Sequence, residues 1–329
     1  MTKQDLRIVF FGTPDFAVAS LDALVKGGYN VAAVVTMPDK ASGRGQKINY
    51  SAVKKYALEH ELPLLQPERL KDEEFVSALR AVKADLFIVI AFRMLPEVVW
   101  TMPPLGTFNL HASLLPLYRG AAPINRAIMD GVSETGVTTF FLKHDIDTGD
   151  IISRTRIDVG PDEDAGSVHD RLMEIGAHLT VETVEHIIKG DLKTTPQSEL
   201  CGDTEPTPAP KIFKEDCLTD WSRDAAAIHN HVRGLAPYPS AWSHLSLQAE
   251  GDDTGTVKII KTAHATAETG LKLKPGELAL CGKRAYAGTG DGKVLELVTV
   301  QPAGKKPMGG ADFLRGLRIA ERGLSPHLK

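Results

Sequence analysis

Between Leu6 and Leu142 the sequence repeats one pattern: a short run of β-branched and aromatic residues, apolar on both faces, followed by a stretch long enough for a helix. The runs Leu6–Phe11, Val31–Val35, Leu86–Ala91, Thr107–His111 and Val137–Leu142 read as strands, with helices expected near Phe16–Lys26, Ser51–His60, Glu73–Val82 and Ile124–Asp130. A strand apolar on both faces needs cover on both, and an intervening helix supplies the crossover that a parallel pair requires. The first part of the chain is therefore expected to be α/β, a doubly wound domain on a mainly parallel sheet.

A long helical pattern follows at about Ala165–Ile188, and then Thr194–Pro210, rich in Thr, Pro, Glu and Ser, loses apolar periodicity and reads as a linker. Beyond it come a helical stretch near Asp224–Arg233 and short alternating runs at Ala241–Leu247, Val257–Thr262, Leu278–Ala279 and Val294–Val300 with Gly-rich turns. That pattern predicts a small C-terminal β-barrel of OB-like type. The expected division is residues 1–190 as the α/β domain, 191–210 as linker and 211–329 as the second domain. Charge divides in the same place: residues 1–209 carry 21 Lys/Arg against 29 Asp/Glu, and residues 210–329 carry 17 against 13. A basic second part suits a polyanionic partner, although an ordinary solvated surface explains it equally well.

No apolar run approaches the roughly 20 residues of a membrane-spanning helix, and the charged start Met1–Arg7 does not resemble a signal peptide. Cys201, Cys217 and Cys281 form no close pair, which argues against a disulfide framework or a cysteine zinc site and favours the cytoplasm.

A first strand ending at Gly12 invites a dinucleotide-binding reading. Pro14 and Ala17 stand where that fingerprint needs glycines, so an NAD enzyme is disfavoured. Ligands of open α/β sheets still bind beyond the carboxyl ends of the strands, and two polar groups are expected there. Asn109 and His111, two apart on a strand, share a face. They precede a shaped loop, Ala112 to Pro123, whose apolar residues could wall a pocket or pack on the core. Asp145, Asp147 and Asp150 follow the next strand; Gly149 and Asp150 break the EF-hand calcium pattern, so no metal is expected. If the two strands are neighbours, Asp147 comes near His111. Gly131–Gly136 has the wrong spacing for a nucleophile elbow, and His229 and His231, two apart in a helix, do not share a face for zinc.

The chain resembles the methionyl-tRNA formyltransferases over nearly its whole length. The resemblance rests on Phe11-Gly12-Thr13-Pro14-Asp15-Phe16, Pro38-Asp39-Lys40 with Gly43-Arg44-Gly45, Asn109-Leu110-His111-Ala112-Ser113-Leu114-Leu115-Pro116, Tyr118 to Pro123, Asp147-Thr148-Gly149-Asp150, and Pro237-Tyr238-Pro239-Ser240-Ala241-Trp242. It implies a Rossmann-like formyltransferase domain in which Asn109, His111 and Asp147 are catalytic and 10-formyltetrahydrofolate is the donor substrate. Folate contacts are implied at Arg93, Leu95, Ser113, Leu114, Leu115 and Pro116, and contacts with charged initiator tRNA at Lys40, Arg44 and Lys47 and on the OB-like domain of a monomer. The first-domain motifs are shared with formyltransferases acting on glycinamide ribonucleotide or amino sugars, so a small-amine acceptor is the alternative. The run Ala91-Phe92-Arg93-Met94-Leu95 is nearer the glycinamide enzymes, and Lys143 and Asp145 stand where an Asp and a Gly are frequent.

Overall fold

The computed structural model describes residues 1–42, 47–201, 205–247, 253–265, 269–318 and 325–329. Its contacts separate two compact units: Met1–Pro123 with Thr135–Ile157 and His169–Ala209, and Ile124–Glu134 with Asp158–Val168 and Pro210–Lys329. Both units draw on segments distant in sequence, whereas the sequence suggested contiguous domains.

The first unit is built on a seven-stranded sheet in the order Ile151–Asp158, Glu134–Phe141, Thr107–His111, Leu86–Ile90, Arg7–Gly12, Asn30–Val35, Leu64–Leu65. Arg7–Gly12 pairs in parallel with both neighbours, and Leu86–Ile90 in parallel with Thr107–His111, so these strands end at one edge of the sheet. Glu134–Phe141 runs antiparallel to Thr107–His111, which makes the sheet mixed at that side. Period-two alternation explains the burial of the central strands on both faces. Val9, Phe11, Val35, Phe87 and Val89 pack with Phe75, Leu79 and Val99 in one cluster, while Ile8 and Phe10, which alternate with them, are also fully buried.

The helix Ala165–Lys189 lies close behind the site strand, because a Cβ on Gly176 would stand 2.8 Å from Leu110 Cδ2. Its buried threonines meet hydroxyls rather than apolar groups: Thr183 pairs with Thr139 at 2.9 Å and Thr180 with Ser20 at 3.3 Å. Satisfying these groups reciprocally avoids the cost of burying them alone. The helix Ala52–Glu59 starts at Ser51, whose hydroxyl accepts from the Lys54 N–H at 3.0 Å as an N-cap.

The second unit is an antiparallel sheet in the order Leu278–Cys281, Arg284–Gly288, Val294–Pro302, Asp253–His264, Ala241–Ser246, His327–Leu328, with Met308–Gly309 added beside Val294–Pro302. Its two edges meet: Glu277 bridges His327, the Leu278 N–H donates to the Pro326 carbonyl at 3.0 Å and the Leu328 N–H to the Gly276 carbonyl at 2.8 Å. Closing a sheet this way removes its free edges, giving a barrel-like body. The helix Ala225–Leu235, capped by the Asp224 carboxylate on the Ala227 N–H at 2.8 Å, packs Ile228 and Val232 among Trp221, Val257, Ile259 and Leu297. Arg233 on that helix donates to the Gly160 and Glu163 carbonyls at 3.3 and 2.8 Å, tying Asp158–Val168 into this unit.

His229 and His231 on the same helix are both buried, and burial pushes both imidazoles below their ordinary pKa of 6.5. Depressed values mean that folding favours the neutral rings, so their contribution is present above the unfolded-state value and lost as pH falls through it. The thermal midpoint of this unit is expected to drop as pH is lowered from 7 to 5.5, and His231→Phe to lessen the drop. A flat midpoint over that range contradicts this.

Candidate active site

At the edge where the parallel strands end, Asn109 and His111 come from one strand, with Asn109 opposite Val89 on one side and Phe140 on the other. His111 is 6% exposed and meets the Phe140 ring edge-on, with centroids 6.5 Å apart. Its Nε2 lies 2.8 Å from the Tyr118 carbonyl oxygen. A carbonyl only accepts, so Nε2 carries the hydrogen and Nδ1 is left to gain or lose a proton. Nδ1 faces Asp147, whose Oδ2 is 3.7 Å away.

That separation exceeds a hydrogen bond. The ring is fixed by the Tyr118 carbonyl, and Asp147 Oδ2 accepts the Gly120 N–H at 2.9 Å. Neither Tyr118 nor Gly120 carries a side chain that signals this role, since both act through the backbone. Tyr118 at φ +59° and Asp147 at φ +54° adopt left-handed backbone, which costs a non-glycine residue about 1–3 kcal/mol and persists only where neighbours enforce it.

Several neighbours enforce it here. Gly120 at φ +128° lies where a Cβ would be 2.5 Å from the Ala209 carbonyl oxygen, and the Arg119–Gly120 pair forms a short parallel ladder with Pro208–Ala209. Gln197 donates to the carbonyls of Asp147 and Gly149, both at 2.8 Å. A Cβ on Gly149 would stand 1.6 Å from the Phe141 carbonyl oxygen, so the turn after Asp147 admits no side chain there. Gly149→Ala is expected to lower stability by about 1–3 kcal/mol and turnover with it, checked by thermal unfolding and kcat; wild-type values in both contradict the fit.

Among the described residues, five buried side-chain polar atoms have no partner, and three of them gather at this edge: Thr13 Oγ1, Arg93 Nε and Asn109 Oδ1. They sit at or just beyond the ends of the Arg7–Gly12 and Leu86–Ile90 strands and within Thr107–His111. Leaving a polar atom buried and unpaired costs about 1–3 kcal/mol, so these three atoms make this edge a candidate for pairing with a polar ligand. Among the described residues no group of three or more His, Cys, Asp or Glu side chains is arranged to hold a metal.

A formyl transferase family model matches residues 6–184, and a formyl transferase C-terminal domain model matches residues 211–318. The methionyl-tRNA formyltransferase of Bacteroides fragilis is 53% identical over 321 residues, covering 98% of each chain. That of Porphyromonas gingivalis is 46% identical over 320 residues, covering 97% of this chain and 98% of its own. The chain belongs to the methionyl-tRNA formyltransferase family. Solved structures with the same fold include WlaRD, a sugar 3N-formyl transferase determined with dTDP and 5-N-formyl-THF, at TM-score 0.62 and 19% identity over 92% of this chain and 99% of that one. HypX from Aquifex aeolicus, in complex with tetrahydrofolic acid, aligns at TM-score 0.62 and 22% identity over 94% of this chain and 47% of its own.

In this formyltransferase the residues expected at the folate have distinct surroundings. Ser113 is fully buried and its hydroxyl donates to the Leu117 carbonyl at 2.6 Å; Thr138 bridges the same loop, accepting the Leu115 N–H at 3.1 Å and donating to the Ser113 carbonyl at 2.6 Å. Leu115 packs with Phe140 and Ile151, Pro116 is buried, and Leu114 is half-buried. Leu95 is buried in the cluster around Phe75 and Phe87. Arg93 donates to the carbonyls of Glu68, at 2.7 Å, and Pro67, and burial lowers its pKa. Ser113, Leu115 and Leu95 thus hold the shape of the edge through core packing and backbone contacts. Lys143 pairs with Asp150 at 2.7 Å on the Asp147 loop. Arg44 lies outside the described residues, as do the side chains of Lys40 and Lys47.

Proposed function

We propose that this chain transfers the formyl group of 10-formyltetrahydrofolate to the amino group of methionyl initiator tRNA. The observation that carries the site assignment is the set of unsatisfied Thr13, Arg93 and Asn109 atoms at or near the ends of neighbouring strands, on the same edge of the sheet as His111. Near-full-length relatives named methionyl-tRNA formyltransferase support this acceptor over a small amine.

The reaction forms a bond from the amine nitrogen to the formyl carbon and breaks the bond from that carbon to the folate nitrogen. Negative charge builds on the formyl oxygen, one proton leaves the amine and one reaches the departing nitrogen. Asn109 is assigned the oxyanion: a half turn of its amide exchanges Oδ1 for Nδ2, which can direct an N–H at the charge as it forms. Proton exchange is assigned to His111 Nδ1, since Nε2–H is committed to Tyr118. Asp147 is assigned to stabilise positive charge on the ring across the 3.7 Å gap. Burial strengthens each of these electrostatic effects.

For tRNA, the basic residues Lys40, Arg44 and Lys47 and the C-terminal unit are assigned to phosphate contacts. The chain is assigned as a monomer of the cytoplasm, the compartment being supported by the absence of a close cysteine pair. No helix among the described residues is long and apolar enough to cross a membrane. Incubation with 10-formyltetrahydrofolate and charged initiator tRNA is expected to give N-formylmethionyl-tRNA, and transfer to glycinamide ribonucleotide instead refutes the acceptor. Arg44→Ala is expected to weaken tRNA binding and reduce its salt slope by about 1 while sparing folate binding; equal losses in both contradict the assignment.

A further inference from the structure

We propose that Gln197, acting with Arg119, is a positioning residue for formyl transfer: it fixes the Asp147 turn against the Tyr118–Gly120 turn and so sets the Asp147–His111 geometry. The proposal rests on the reading of Asp147 and His111 given above. Gln197 lies in a polar stretch whose composition suggests a linker, yet it is only 3% exposed. Its Nε2 spends both hydrogens on the Asp147 and Gly149 carbonyls, each at 2.8 Å. Its Oε1 accepts both Nε and Nη2 of Arg119, at 3.1 and 2.7 Å.

This pattern fixes the amide orientation, because a flipped amide would set oxygen against two carbonyls and an NH2 against a guanidinium. Arg119 stands between the two residues that matter on the other side. Tyr118 supplies the carbonyl that holds His111 Nε2, and Gly120 supplies the N–H that holds Asp147 Oδ2. The turn on each side of the imidazole contains a left-handed non-glycine residue, Tyr118 or Asp147, and the Gln197–Arg119 link joins the two turns alongside the bond from the Gly120 N–H to Asp147 Oδ2. Released from it, the Asp147 turn can relax toward ordinary backbone and carry the carboxylate away from the ring. A displacement near 1 Å in a reacting constellation can cost about 10²-fold.

A buried glutamine can also be a simple staple, so the test must separate the two roles. The chain around Gln197 has other anchors: Thr195 and Ile151 exchange both backbone hydrogen bonds at 2.8 Å, and Leu200 packs against the Leu115, Phe140 and Ile151 cluster. Gln197→Met, similar in length but without hydrogen bonds, is therefore expected to fold, and Gln197→Glu keeps the Arg119 pair while losing both donors to the Asp147 turn. Both are expected to lower kcat by about 10- to 100-fold with KM for each substrate within about twofold.

In an Asp147→Asn background, Gln197→Met is expected to cost little further, because the group it positions is already disabled. Wild-type kcat in both variants, or the same fold-loss with and without the Asp147 substitution, overturns the proposal. Where Gln197→Met fails to fold, Gln197→Glu carries the cycle. A second readout needs no substrate: the NMR signals of the His111 ring are expected to move in both variants of the full chain. Unmoved ring signals overturn the positioning role even if wild-type protein does not formylate charged initiator tRNA, an outcome that separately rejects the acceptor reading.

Discussion

Replacing His111 by alanine is expected to reduce formyl transfer at saturating substrates by about 10²–10⁴-fold, the range that positioned acid–base groups contribute. The ring has one nitrogen held on a carbonyl and the other turned to a carboxylate. Alanine also removes the His111 donor to the Tyr118 carbonyl, which lowers stability. His111→Gln separates the two effects, because a glutamine amide can donate to the same carbonyl but cannot exchange a proton near neutral pH. The glutamine variant is expected to lose as much kcat as the alanine variant while keeping more of the thermal stability. Near-normal turnover in either variant removes His111 from the chemistry. Turnover tracking stability across the two would make it a structural group only.

Asn109 and His111 were legible in the sequence because strand period and the edge rule for α/β sheets together place two adjacent polar side chains where ligands bind. Asp147 followed from strand adjacency, and Glu134–Phe141 does pair with Thr107–His111. The groups that hold them were not legible, since Tyr118 and Gly120 act through backbone atoms and Gln197 sits 50 residues from Asp147 in an aperiodic stretch. Long-range polar pairing leaves no period to read. The apolar loop after His111 posed a different difficulty: composition cannot distinguish a pocket wall from core, and Leu115 proved to be core. Ile151–Asp158 escaped detection as a strand because, at the sheet margin, it carries Arg154, Arg156 and Asp158 in place of the apolar run that marks the central strands. The make-up of the compact units was not legible for a related reason, as Ile124–Glu134 and Asp158–Val168 join the second unit through contacts such as Asn125 to the Gly234 carbonyl at 2.8 Å.

Asn109→Leu is expected to move activity and stability in opposite directions. Leucine has the same branched shape as asparagine, so the substitution removes the amide with little change in volume. The amide's Oδ1 is buried without a partner in the free protein, and replacing such a group by an apolar isostere removes its desolvation cost, about 1–3 kcal/mol. Formyl transfer is expected to fall by about 10²–10³-fold, the usual consequence of losing one oxyanion donor, while the thermal midpoint holds or rises. Asn109→Ala controls for shape: it removes the amide but leaves a void, so the same loss of kcat is expected with a lower midpoint. An Asn109→Leu protein that is both inactive and destabilised would show the amide to be a satisfied part of the fold, and its apparent lack of a partner would then say nothing about the reaction. A stabilised but inactive protein would show that this chain carries an unpaired polar group at a cost to its own stability, which is physically reasonable where a half turn of the amide aims its N–H at the charge that develops on the substrate.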